Sequence, residues 1–205
     1  MATDVKNVYV PSPGAKGVLF RSVKTTDDAV ALPASAKDDI KSSDFTDLGG
    51  VSDSGFTNSI DRSVKKVKDF GAATVAAPQD DYTETMKLEL IESLRESVLE
   101  TVFGTKITPL PDGGFGFSHR KQPLEKYSWV IDTVQGRKLR RQVIGIGQVT
   151  EIGEVKQVSD DIVKYPVTIE CFEDADGDFV KEYVGLPKPA TNTKQADTKQ
   201  IDKAA

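Results

Sequence analysis

Few residues of this 205-residue chain have types that could do covalent, metal or phosphate chemistry. His119 is its one histidine, set in Phe117-Ser118-His119-Arg120-Lys121-Gln122-Pro123. General-base catalysis needs a nucleophile and an orienting carboxylate arranged around the imidazole, and this polar loop carries no such pattern. Cys171 is the one cysteine, which excludes an internal disulfide and a cysteine-based zinc site. It falls on the inward phase of an alternating segment, where a thiol behaves as a small hydrophobe.

Gly145-Ile146-Gly147 opens like a dinucleotide fingerprint, but Thr150 stands where the third glycine is needed and no helical pattern follows. Glu173-Asp174-Ala175-Asp176-Gly177-Asp178 is dense in carboxylates, yet its glycine comes three positions after Asp174 where a calcium loop has it at five. It reads as a solvated acidic turn, with weak adventitious Ca²⁺ binding as the rival. Arg137, Lys138, Arg140 and Arg141 form the basic cluster. In a strand, residues 137 and 141 share one face while 138 and 140 share the other, so the four cannot make one phosphate-binding patch. A solvated or intersubunit strand is the simpler reading, and a phosphate-contacting surface the other. The expectation is therefore no catalytic residue, no cofactor and no metal site.

The elements that position these residues are mostly strands. Val outnumbers Leu 22 to 11, and β-branched side chains suit a pleated sheet better than a helix. Twenty-seven Lys and Arg against 32 Asp and Glu give a net charge of −5, the wrong sign for a dedicated nucleic-acid binder. Nothing near the start reads as a signal peptide and no window is apolar enough to span a membrane, so a reducing cytoplasm is expected for synthesis.

Residues 1–20 read as an arm ending in a first strand at Val18-Leu19-Phe20. Residues 21–55 show neither period 2 nor period 3.6 and read as a long polar loop that orders against a neighbouring subunit, with Phe45, Leu48 and Val51, and Phe56 just beyond it, as the contact residues. Val64, Val67 and Phe70 suit a short helix or a bulged strand, and the run to Pro78 favours strand because it supplies a hairpin partner. Tyr82, Met86, Leu88 and Leu90 alternate with polar residues as a half-buried strand does. A helix is expected over about 93–103, with Ser93 and Glu96 as a capping box, Leu94, Val98 and Val102 as its packing face, and Gly104 as its left-handed C-cap.

Four further strands follow: Tyr127 to Gln135, Arg137 to Ile144, Ile146 to Val155 after a break at Gly145, and Val163 to Cys171. Pro166 pushes the last of these towards an edge or a bulge, and Asp176-Gly177 predicts a hairpin into Phe179 to Val184. Residues 186–205 are a charged tail. The expected architecture is a mainly antiparallel β-sandwich or small barrel over residues 56–185, with one flanking helix and extended termini.

Tyr127-Ser128-Trp129-Val130-Ile131-Asp132, Gly147-Gln148-Val149-Thr150-Glu151, Tyr165-Pro166-Val167-Thr168-Ile169 and Asp174-Ala175-Asp176-Gly177 occur in that order. Together with Tyr82 to Gly104 and the Gly49 to Gly55 approach, their succession resembles the major tail tube proteins of long-tailed bacteriophages, especially those infecting actinobacteria. The resemblance spans most of residues 45–185 and rests on joint order, since each motif alone is a strand or turn pattern. It implies a structural virion protein, built in the host cytoplasm, whose six-membered rings stack into a tube for genome delivery. It also implies partners: further copies of itself, the tape measure, tail terminator and distal tail proteins, and transient passage of DNA, with no membrane binding. Ring closure would dispose of edge strands, and a net negative conduit would not retain phosphates. The alternatives are a monomeric β-sandwich binding module of the carbohydrate or adhesin type and, more distantly, an enzyme on a β scaffold.

Overall fold

The computed structural model describes residues 2–186 apart from Ala15 and Ala29, so nearly all of the expected charged tail lies outside the described residues. The strands are β1 (Ser12–Pro13), β2 (Leu19–Thr25), β3 (Phe45–Asp47), β4 (Val51–Val64), β5 (Val67–Lys68), β6 (Thr74–Ala76), β7 (Gln79–Leu90), β8 (Thr108–Pro109), β9 (Phe115–Gly116), β10 (Lys126–Gln135), β11 (Lys138–Ile152), β12 (Tyr165–Phe172) and β13 (Lys181–Gly185). Among the described residues one α-helix, α1 (Glu96–Phe103), follows β7. A nine-stranded antiparallel sheet runs β3-β2-β10-β11-β12-β7-β4, with β1 beside β10 and β13 beside β11. The small pairs β5-β6 and β8-β9 stand apart from it.

β11 makes two layers of this sheet. One edge pairs with β10, while on the other residues 139–143 pair with β13 and residues 146–152 with β12. Leu19, Trp129, Ile131 and Ile144 from one layer meet Met86, Leu90, Val167 and Ile169 from the other in a single buried cluster. This is the expected sandwich, and among the described residues the sheet does not close into a barrel. Alternation assigns Phe20, Val130 and Val143 to the opposite face, where they form a second cluster with Phe45.

That second face explains the long loop. β2 continues to Thr25, and residues 26–44 then cross the outer face, where Val30, Leu32 and Ile40 pack on the second cluster. Phe45 is 4% exposed and Leu48 is fully buried, and Val51 and Phe56 pack beside the main cluster. Phe45 and Leu48, expected as intersubunit contacts, are thus buried within the subunit, and Val51 and Phe56 are half-buried beside its main cluster. Sequence periodicity does not register them because β3 is only three residues long, β4 is bulged between Val51 and Phe56, and the rest of the segment crosses the strands outside the ladder.

The helix is shorter and differently phased than expected. It begins at Glu96, its N-cap is Arg95 without a side-chain capping bond, and Ser93 lies in the preceding turn. Val98, Leu99, Thr101 and Val102 form the buried face, whereas Leu94 is 80% exposed because it precedes the first helical turn. Of the three residues expected to pack, Val98 and Val102 lie on the buried face and Leu94 does not. Gly104 is the left-handed C-cap, φ 64°, with its N–H on the Glu100 carbonyl. Arg21 ties helix to sheet, Nη1 donating to Thr101 Oγ1 at 2.9 Å while its guanidinium lies 4.4 Å from the Tyr127 ring centroid. Burial lowers the pKa of that guanidinium below its ordinary value.

Three further expectations about strands and their connections are revised in part. β11 runs unbroken through Gly145 and Gly147; a side chain at Gly147 would place Cβ 2.7 Å from Trp129 Cδ1, so this glycine admits the indole, whose Nε1 donates to the Gly147 carbonyl at 3.0 Å. Pro166 lies in an interior strand, but as its second residue. Its carbonyl accepts from Gly153 N at 2.8 Å, just beyond the end of β11, so the missing N–H faces the same frayed end of the ladder. Asp176-Gly177 forms the tight turn, with Gly177 at φ 86°, yet β13 pairs with β11 rather than returning along β12.

Candidate functional site

The residues with chemical potential are absorbed into structure. The His119 ring stacks 4.1 Å from that of Phe103 at the end of α1. Cys171 is buried and its thiol is pushed up to about 12 by burial, which leaves little reactive thiolate near neutrality. In the acidic turn, the Lys181 ammonium lies 2.9, 2.8 and 3.6 Å from Asp174, Asp176 and Asp178. The Lys181 bond holds Asp174 below the usual carboxylate range, and the Asp176 and Asp174 bonds raise Lys181. A built-in counter-ion thus sits among the carboxylates that the sequence set against a calcium loop.

The basic strand is likewise engaged within the chain. Arg140 pairs with Glu182, Arg141 with Asp132, and Lys138 Nζ donates to the carbonyls of Lys6 and Val8. The alternation of faces read in the sequence is what separates these partners, and it disperses the phosphate-binding patch.

What remains is a projecting arm. β4 and β7 pair from Phe56 opposite Leu88 out to Val64 opposite Gln79, and the β5-β6 pair extends the ribbon. Every residue from Thr57 to Asp81 is exposed, including Ile60, Val64, Val67, Phe70 and Val75. Two strands alone are at best marginally stable in water, and here neither face of the ribbon is covered. β4 is also the last strand of the sheet, so a fourteen-residue edge is open to another chain.

The arm's root is anchored. Tyr82 packs 4.5 Å from Phe179, Arg62 lies over the Tyr82 ring at 5.0 Å, and the buried carboxylate of Glu84 accepts from Tyr82 Oη and Asn58 Nδ2, each at 2.7 Å. The hydrogen bond to Glu84 raises the pKa of the Tyr82 phenol. A cleft of about 620 Å³ opens beside these residues, between the root and the turn carrying Glu173 and Asp178.

A family model described as phage tail tube protein matches residues 1–191. The chain belongs to the phage tail tube protein family. No curated protein matches it. As a tail tube protein it is a structural component of the virion tail, and its working surfaces are those through which it assembles with copies of itself and with other tail proteins. Of the expected contact residues, Phe45 and Leu48 serve the chain's own core and Val51 and Phe56 lie at the arm's root. The arm itself went unmarked as a contact surface, although Val64, Val67 and Phe70 interleaved with Lys65, Lys66 and Lys68 are the mixed pattern of a ribbon with no core to face.

Proposed function

We propose that six copies of this tail tube protein close into a ring and that rings stack, through the Thr57 to Asp81 arm, into a hollow tube that carries the phage genome towards the host. The observation supporting this reading is the arm: a ribbon exposed on both faces, at the open edge of a sandwich, needs a partner to cover it. A net charge of −5 suits a conduit that must not retain a polyanion. On this reading subunits fold in the host cytoplasm, rings assemble around the tape measure, and the ends of the tube meet the tail terminator and distal tail proteins.

Negative-stain microscopy and size-exclusion chromatography of the purified full chain test it. Tubes of stacked rings with sixfold end views are expected. A lone species of about 22 kDa at every concentration and ionic strength would overturn the reading in favour of a monomeric binding module.

A further inference from the structure

We infer that the end of each arm, carrying Lys65, Lys66, Lys68 and Phe70, docks into the acidic cleft at the root of the arm of a second copy. The inference rests on the tube reading and names the two surfaces that meet. Within residues 64–78 the chain carries Lys65, Lys66 and Lys68 against the single acid Asp69, in a protein that is acidic overall. Among the described residues none of the three lysines takes part in an ion pair. Phe70 stands fully exposed in the turn that follows them.

The cleft has the opposite character. Asp80, Asp81, Glu84, Glu173 and Asp178 line it, with Arg62 as its one cation. Arg62 is drawn over the Tyr82 ring, Glu84 is held by Asn58 and Tyr82, and Asp178 shares Lys181. Asp80, Asp81 and Glu173 enter no ion pair among the described residues, so their charge faces the opening uncompensated. The Tyr82 and Phe179 rings, 4.5 Å apart, offer the aromatic surface on which Phe70 can be covered.

Phe70 and the cleft cannot meet within one chain, although Lys65 and Lys66 follow directly on the last ladder pair beside it. The ladder out to Val64 opposite Gln79 keeps the ribbon extended, and the residues between Arg62 and Phe70 span about 25 Å at strand rise. The occupant is therefore another copy. Because the two surfaces differ, the contact can run head-to-tail and repeat along one direction, as an open stack requires. Nucleic acid would match the lysines but would leave both Phe70 and the acidic cleft without a role.

The test is charge reversal in the full chain: Lys65→Glu/Lys66→Glu/Lys68→Glu, Asp80→Lys/Asp81→Lys, and the two sets combined. Tubes are read by sedimentation and microscopy, and folding by thermal unfolding. Each set alone should lower the sedimenting fraction by about tenfold with folding unchanged, and the combined chain should recover most of it. Wild-type tube yield from either set, or no recovery when they are combined, overturns the docking while leaving the tube reading intact. A change confined to DNA retention gives the tip to nucleic acid and also overturns it. A wild-type chain that forms no tubes removes the reading and the docking together.

Discussion

Arg141 Nε and Nη2 each donate to one carboxylate oxygen of Asp132 at 2.7 Å, while Nη1 donates to the carbonyls of Ser35 and Asp38 at 3.0 and 2.8 Å. The two residues face each other across the β10-β11 ladder. A bidentate cross-strand pair thus fixes a guanidinium that is 5% exposed, and its free nitrogen clamps the loop over the outer face of the sheet. Asp38 completes the clamp by accepting from Ala34 N, Ser35 N and Ser35 Oγ, and the Ser35 hydroxyl leads the bonds that hold its carboxyl below the usual range.

Asp132→Ala should therefore destabilise the subunit by about 3–5 kcal/mol, because it leaves a buried guanidinium without its counter-ion. Arg141→Ala should raise hydrogen exchange at residues 35–40 more than anywhere else. Denaturant unfolding and exchange mass spectrometry check both, and wild-type midpoints for Asp132→Ala would contradict the clamp.

Which parts of this were legible in the sequence follows from where periodicity acts. Alternation placed Cys171, Trp129 and Ile131 inwards and set Arg141 on the face opposite Lys138 and Arg140, because a strand's faces are set locally, while Arg137 falls in the turn before β11. Leu94 shares the i, i+4 spacing of Val98, yet spacing does not say where a helix starts, and two residues of delay turned it to solvent. Leu48 and Phe45 were visible as apolar residues but not as core, since the loop that carries them is placed by contacts with strands far away in sequence. The arm was legible as a hairpin and not as a surface, because a sequence gives pairing partners without saying whether a second layer covers them.

The helix separates these cases experimentally. Val98→Ala removes two methyl groups from a fully buried site and should cost about 2–3 kcal/mol, whereas Leu94→Ala should stay within about 0.5 kcal/mol of wild type. Equal losses for the two variants in thermal unfolding would mean that the helix packs through the earlier turn.

Gly147→Ala should destabilise by about 1–3 kcal/mol by driving the new methyl group into Trp129. The sole tryptophan gives the readout: its fluorescence should shift with the loss of stability. An unchanged spectrum and midpoint would show that the indole can move aside freely.

The acidic turn should lose support at both ends of the pH scale. Asp174 has a lowered pKa in the fold, so its contribution is present above the ordinary carboxylate value of 3.8 and is lost as pH falls through the lowered one. Lys181 has a raised pKa, so its contribution is present below its ordinary 10.5 and is lost as pH rises through the raised value. NMR titration should show Asp174 titrating below a free aspartate, and Lys181→Met should move it back up; no movement would detach the two groups.

The loop and the arm make opposite predictions for the isolated subunit and the tube. Leu48 N donates to the Leu19 carbonyl at 2.9 Å and its side chain is fully buried, so Phe45 to Leu48 should resist hydrogen exchange already in the monomer. Residues 64–78 are only partly paired and have no covered face, and they should exchange quickly until assembly shields them. Removing residues 25–50 would take Phe45 and Leu48 out of the core, so that chain should fail to fold. Replacing residues 65–77 by a short Gly-Ser turn leaves every core residue in place and should give a subunit of unchanged Tm that forms no tubes. Tubes of normal length from that shortened chain, or fast exchange at residues 64–78 inside wild-type tubes, would falsify the arm as the contact between rings.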